Sequence, residues 1–161
     1  MIKLLHKMNS NEINIFVDDK CIPHFLGVFA ADELDILPYE CKGLLVVNTD
    51  ISSRDGEHWI AIHIEKNDIF YYDPLLTNFY KSEYITTFIK KMKRNFVINK
   101  IRIQSEFSET CGNHCLVFCY IMAKGKGDNL FTRFLKLFHP LNVPQREHLS
   151  ILFYKEISQN E

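Results

Sequence analysis

Cys111 stands where a polar loop that starts at Gln104 runs into an apolar stretch over residues 116–122. The pattern predicts a buried helix with the thiol in its first turn and Ser108 or Thr110 as N-cap. A helix start offers unpaired N–H groups and the positive end of the dipole. Both favour a thiolate, and such sites lower a cysteine pKa from ~8.5 to ~3.5–7.5. Cys111 is therefore the candidate nucleophile. Gly112 admits another chain close to the sulfur, and Gln104 has an amide able to reach a developing oxyanion.

A thiol nucleophile needs a base within hydrogen-bond reach and a third group to orient that base. His58 and Asp73 answer this if residues 58–64 and 69–73 are the two strands of a hairpin turning at Lys66 and Asn67. Ile60 then faces Asp73, and His58 lies one diagonal step away on the same face. A slip of one residue would put them on opposite faces. On a strand His63 points away from His58. His114 is expected on the helix surface, and Cys115 and Cys119 continue the Cys111 stripe as small buried hydrophobes. A zinc site built from Cys111, Cys115, His58 and His63 is the rival reading. It lacks any Cys-x-x-Cys spacing, so neither a metal nor another cofactor is expected. Too little chain follows Cys111 for the papain order of cysteine and histidine, and the residues around it do not match a caspase motif.

The elements that would place these groups follow from hydrophobic periodicity. Residues 43–48 form a continuous apolar run, hence a buried strand. Residues 82–96 show helical spacing with a basic opposite face that carries Lys90, Lys91, Lys93 and Arg94. Residues 97–103 alternate as a strand. Helices are expected near residues 9–14, over 129–138 and over 145–157, with a break at Gly125 and Gly127. Residues 21–29, interrupted by Pro23 and Gly27, read as a packed connector. The class is α+β: a small, mainly antiparallel sheet packed with helices, in one domain over residues 1–161.

Composition sets outer bounds. A net charge of −1 gives no global field toward nucleic acid or membrane, leaving the Lys90–Arg94 run as the one basic patch weighed for DNA contact. Five cysteines without framework spacing argue for reduced thiols and a cytosolic or nuclear setting. The stretch 1–7 lacks a long apolar leader, and no run approaches the ~20 residues of a membrane span, so neither secretion nor membrane insertion is expected.

The order His58-Trp59, Asp73-Pro74, Gln104, Cys111-Gly112 resembles the adenovirus endopeptidase (adenain) family and, more distantly, the SUMO-deconjugating proteases. Further similar segments are Cys21-x-Pro23-x-Phe25-Leu26-Gly27, Val47-Asn48-Thr49, Gly56-x-His58-Trp59, Tyr72-Asp73-Pro74 and Cys111-Gly112-x-x-Cys115 followed by Phe118. Weaker similarity continues into Gln145-Arg146-Glu147-His148-Leu149. The resemblance implies an adenain-like cysteine-protease fold with the nucleophile at a helix N-terminus. It implies Cys111 as nucleophile, His58 as general base, and Asp73 as its orienting partner where adenoviral enzymes often carry glutamate. Gln104 and the Cys111 N–H would form the oxyanion hole, and Trp59, Gly56 and Gly112 would lie along the substrate.

The implied activity is limited proteolysis of viral precursor capsid or core proteins, often after glycine, in the virion or in the host cytoplasm or nucleus. The source implied is another DNA virus, a virophage or a virus-like transposon. Adenoviral enzymes are activated by a disulfide-linked peptide and by DNA. The region before Gln104 has no matching cysteine, so a peptide activator would bind without a disulfide, and DNA contact through the Lys90–Arg94 run would be weak. Two alternatives stand beside this: a ubiquitin- or SUMO-type isopeptidase using the same site, and a zinc-bound or catalytically inactive interaction module.

Overall fold

The centre of the sheet comes from the strongest sequence signals. Gly43–Asn48 forms β2, buried along its whole length. The hairpin forms β3 (Trp59–Ile64) and β4 (Asp68–Tyr72). Ile64 faces Ile69 and Ala61 faces Tyr72. The Glu65 N–H donates to the Asp68 carbonyl at 2.9 Å, so Lys66 and Asn67 are the turn residues. That register carries His58 and Asp73 just past the last paired residues, at one end of the sheet. The structure, a computed structural model, describes residues 5–78 and 81–160. Residues 1–4, part of the stretch read for a leader, lie outside them.

The strand order is β1-β2-β3-β4-β5. β1 (Phe25–Ala30) runs parallel to β2, and β5 (Asn95–Ile98) runs parallel to β4, around the antiparallel pairs of β3. The sheet is therefore mixed, not mainly antiparallel, and two segments account for the difference. The segment 21–29, expected as a connector, contains β1. Pro23 stays outside the strand, and the irregularity at Gly27 is absorbed as a register shift between Phe25 and Gly27. The strand expected over 97–103 begins two residues earlier and ends at Ile98. Lys93, in the left-handed conformation, stops α2 (Glu83–Met92) and turns the chain directly into β5. After it, the Asn99 N–H still donates to the Tyr71 carbonyl at 3.3 Å, and its side chain bonds the backbone of Asp73.

Helices cover both faces of the sheet. On one side lie α1 (Ser10–Asp19), α3 (Cys111–Lys124), α4 (Leu130–Lys136) and α5 (Val143–Gln159), over a core that includes Leu44, Val46, Ala61 and Tyr72. On the other lie α2 and a 3-10 helix (Ala31–Ile36), over Leu45, Val47, Ile60, Ile62 and Tyr71. The alternation of strand side chains between these two cores is the period-2 rule at work. α1 opens on a capping box between Asn9 and Glu12. α5 opens on another between Asn142 and Gln145, with Pro144 in its first turn, two residues earlier than the sequence pattern marks.

α3 is the central helix, and every residue over 111–119 is buried. It is wrapped by β3, α1 and α5, which is why its apolar residues show no single face. Cys115 and Cys119 are fully buried free thiols, and burial pushes both well above the ordinary cysteine range. They pack as hydrophobes, as expected. Phe118 anchors the helix to the sheet. Its ring stacks on Tyr72 at 4.9 Å and meets Phe131 and Phe134 edge-on at about 6 Å. Phe118→Ala should cost about 3–5 kcal/mol in urea unfolding, the range for deleting a buried phenyl ring. A loss below about 1 kcal/mol would mean that this aromatic cluster does not hold α3 in place.

Candidate active site

Cys111 is the first residue of α3, and Thr110 holds the N-cap position without making a side-chain cap bond. The positive end of the helix is thus left facing the sulfur. The thiol is 4% exposed. Its Sγ lies 3.5 Å from the Trp59 N–H, and the Gly112 N–H also donates toward it.

His58 meets the thiol from the start of β3. Its Nε2 is 2.7 Å from Asp73 Oδ1, which leaves Nδ1 as the nitrogen available to Cys111, with which the ring shares a hydrogen bond. Asp73 has no exposed surface. Besides His58, its carboxylate accepts from the N–H groups of Leu75 and Leu76 at 3.0 and 3.1 Å. The Thr77 N–H donates at 2.8 Å and the Thr77 hydroxyl donates as well. Asn99 clamps the same residue from behind, accepting the Asp73 N–H at 2.8 Å and donating to its carbonyl at 2.7 Å. The orienting carboxylate is therefore fixed by backbone and side chains at once.

The electrostatics follow from this geometry. Burial opposes a charge on His58, but the Asp73 carboxylate and the Cys111 thiolate outweigh it and raise the imidazole to about 9. Burial likewise opposes the Cys111 thiolate. The His58 hydrogen bond and charge, with the Trp59 and Gly112 N–H groups, prevail and lower the thiol. The two shifts run in opposite directions, and each favours the charged form of its group: thiolate at Cys111 and imidazolium at His58.

Gln104 is buried, 2% exposed, and so is not a solvent-facing loop residue. Its backbone N–H and that of Ile103 both donate to the Pro74 carbonyl, at 2.8 and 2.9 Å, tying its loop to the Asp73 turn. Its Nε2 donates to the Ser108 carbonyl at 2.7 Å. Trp59 is buried, and its Nε1 donates to the Met8 carbonyl at 2.8 Å. Gly56 and Trp59 line a cleft of about 750 Å³ together with Met8, Asn48 and Arg54; Cys111 itself is not among the lining residues. Gly56 has a φ of +96° and sits so close to Asn48 that a Cβ would lie 2.7 Å from its Nδ2. At Gly112 the close neighbour is the protein's own Met8, whose Cβ would lie 3.0 Å from a Cβ there. No spacing signal marks Met8 or Asn99, which reach the site through tertiary packing; Thr77 reaches Asp73 through the local turn four residues on.

Several sequence expectations change. His114 is fully buried rather than on the helix surface, with Nε2 2.9 Å from Thr110 Oγ1 and Nδ1 2.7 Å from Ser150 Oγ. The proposed zinc residues do not converge: Cys115 is in the core and His63 leans on Phe70 and Glu65. Among the described residues no group of three or more His, Cys, Asp or Glu side chains is arranged to hold a metal ion. In the basic run, Lys91 donates to the carbonyls of Asp35 and Leu37, and Arg94 to those of Tyr39 and Cys41. Half of the patch weighed for DNA thus bonds the end of the 3-10 helix and the segment that follows it.

The charge pair is directly measurable by NMR titration of the histidine ring nitrogens. His58 should keep its second proton until the pH rises to about 9, and Asp73→Asn should move that loss to lower pH. His114, lowered by burial despite Glu147, should already be neutral at its ordinary midpoint of ~6.5. A His58 titration near 6.5 in the wild-type protein would show that no ion pair forms.

No protein-family model matches this chain. A protease of Bovine adenovirus C serotype 10 is 29% identical over 125 residues, a match that covers 68% of this chain and 63% of that protein. The match therefore spans less than two thirds of that relative's length. With His58, Asp73 and Cys111 in contact, the chain is distantly similar to an adenovirus protease.

Proposed function

We propose that the protein is a viral cysteine endopeptidase that cleaves precursor polypeptides, with Cys111 as nucleophile, His58 as acid and base, Asp73 as the group orienting His58, and Gln104 in the oxyanion hole. The observation that carries this reading is the buried Cys111–His58–Asp73 contact at the N-terminus of α3. The distant similarity to an adenovirus protease supports the viral setting, in the virion or the infected cell.

The chemistry runs as an acyl transfer. The Cys111 thiolate attacks the scissile carbonyl carbon, and the carbonyl electrons move to oxygen. The Cys111 backbone N–H and the second N–H of the Gln104 amide stabilise that oxyanion. Protonated His58 gives its proton to the departing amine, the C–N bond breaks and a thioester remains. Neutral His58 then takes a proton from water as hydroxide adds to the thioester. Collapse of this second intermediate releases the acid product and restores the thiolate–imidazolium pair. The cleft beside Trp59 and Gly56 would take the acyl side of the substrate. The near-complete burial of the thiol favours a small residue, such as glycine, at the cleaved carbonyl.

Cys111→Ala should fold and abolish cleavage of co-encoded capsid precursors, read by mass spectrometry of the products. Turnover by the folded variant would remove the mechanism. Gln104→Ala should cost on the order of 3 kcal/mol of transition-state stabilisation while Cys111 still alkylates, because alkylation needs the thiolate and not the oxyanion hole. Efficient capture by ubiquitin or SUMO suicide substrates, with no precursor cleavage, would make the protein an isopeptidase instead.

A further inference from the structure

Glu147 lies on α5, far along the chain from the residues assigned above, yet its carboxylate reaches the loop that carries Gln104. Its Oε1 accepts hydrogen bonds from the Ser108 hydroxyl and, at 2.8 Å, from the Thr110 hydroxyl. His114 lies 3.6 Å from the same oxygen. A carboxylate only accepts, and Ser108 Oγ and Thr110 Oγ1 also lie 2.7 Å apart, so two hydroxyl protons serve these three contacts. With the Thr110 hydroxyl donating to Glu147, Thr110 Oγ1 accepts from His114 Nε2. His114 Nδ1 then accepts from the Ser150 hydroxyl, back on α5. Burial favours a neutral His114, as this direction requires.

The same loop holds the proposed oxyanion donor. The Ser108 carbonyl also only accepts, so it must face the amide nitrogen of Gln104, as the 2.7 Å contact with Nε2 has it. One amide N–H is thereby engaged and the orientation of the amide is set, which leaves the second N–H for a carbonyl oxygen at Cys111. Ser108 is thus joined to Gln104 through its backbone and to Glu147 through its side chain. Thr110, the residue before the nucleophile, is held by the same carboxylate oxygen. These groups are partly buried, and one carboxylate on α5 pairs two hydroxyls of a loop that has no regular structure of its own.

We propose that Glu147 is a positioning residue for catalysis, clamping the 104–110 loop so that Gln104 and the start of α3 present their N–H groups to the oxyanion; this rests on the endopeptidase reading above. Burial works against a charge at Glu147. The His114 ring beside it and the hydrogen bonds from Ser108 and Thr110 outweigh it and lower the carboxyl to about 2, so the acceptor is ionised throughout the neutral range.

The test compares Glu147→Ala, Glu147→Gln, Gln104→Ala and the Glu147→Ala/Gln104→Ala double variant in peptide cleavage and in Cys111 alkylation. Glu147→Ala should lower kcat by about tenfold or more with KM and alkylation rate within about twofold, the signature of an interaction made in the transition state. Glu147→Gln, which keeps an acceptor oxygen, should recover most of that loss. The double variant should be no slower than Gln104→Ala alone, since both changes remove one function. Should Glu147→Ala not fold, Ser108→Ala cuts the same link while keeping the Ser108 carbonyl, and should give the same kcat loss. An unchanged kcat, a parallel fall in alkylation, or losses that multiply in the double variant would overturn the role of Glu147. Full activity of Gln104→Ala would instead overturn the oxyanion-hole assignment, and this proposal with it.

Discussion

The Asp73 carboxylate is wholly buried at the end of β4, and the His58–Asp73 bond could not exist without the donors gathered round it. A bare carboxylate in that position would be expensive. The N–H groups of Leu75, Leu76 and Thr77 and the Thr77 hydroxyl turn the chain around it, and Asn99 braces its backbone. With Asp73 fixed, Nε2 of His58 is occupied and Nδ1 is the nitrogen left for the sulfur. The carboxylate favours a charge on the imidazole, and that charge favours the thiolate. The proposed catalytic pair thus depends on how β4 ends.

Three parts of the fold meet at that point, each with one duty. The sheet end supplies His58 and Asp73 in a register set by a two-residue turn at the far end of the hairpin. α3 supplies Cys111 and an open helix start, and is held rigid by burial on every side. The 99–110 segment has no strand or helix, so its geometry depends on outside anchors. Pro74 holds it at Ile103 and Gln104, and Glu147 holds it at Ser108 and Thr110. Precise placement of a donor on a loop requires such support.

Legibility in the sequence followed locality. β2 and the hairpin carry their own signals in apolar runs and a polar turn, and the diagonal between His58 and Asp73 could be read from them. Cys111 was marked by the change from polar loop to apolar helix. β1 is not legible because Pro23 lies just before it, Gly27 interrupts it, and its parallel pairing with β2 leaves no turn signature. β5 is a short edge strand with half-exposed residues, so its true start at Asn95 looked like the tail of a helix. His114 looked like a surface residue because its partners, Ser150 and Glu147, lie more than thirty residues away on α5. The Met8 contact with Trp59 and Gly112 has the same long-range origin.

The central claim is that Cys111 is a thiolate at a pH where an ordinary cysteine is not. Competitive labelling with iodoacetamide at pH 6, mapped by mass spectrometry, tests it within one molecule. Cys21 is the exposed thiol and Cys111 is nearly buried, so accessibility alone favours Cys21. An unperturbed thiol with pKa ~8.5 is less than about 1% ionised at that pH. The account predicts that Cys111 is labelled first and that His58→Ala reverses the order. Faster labelling of Cys21 in the wild-type protein, with Cys111 reacting only as the pH approaches the ordinary thiol range, would contradict it.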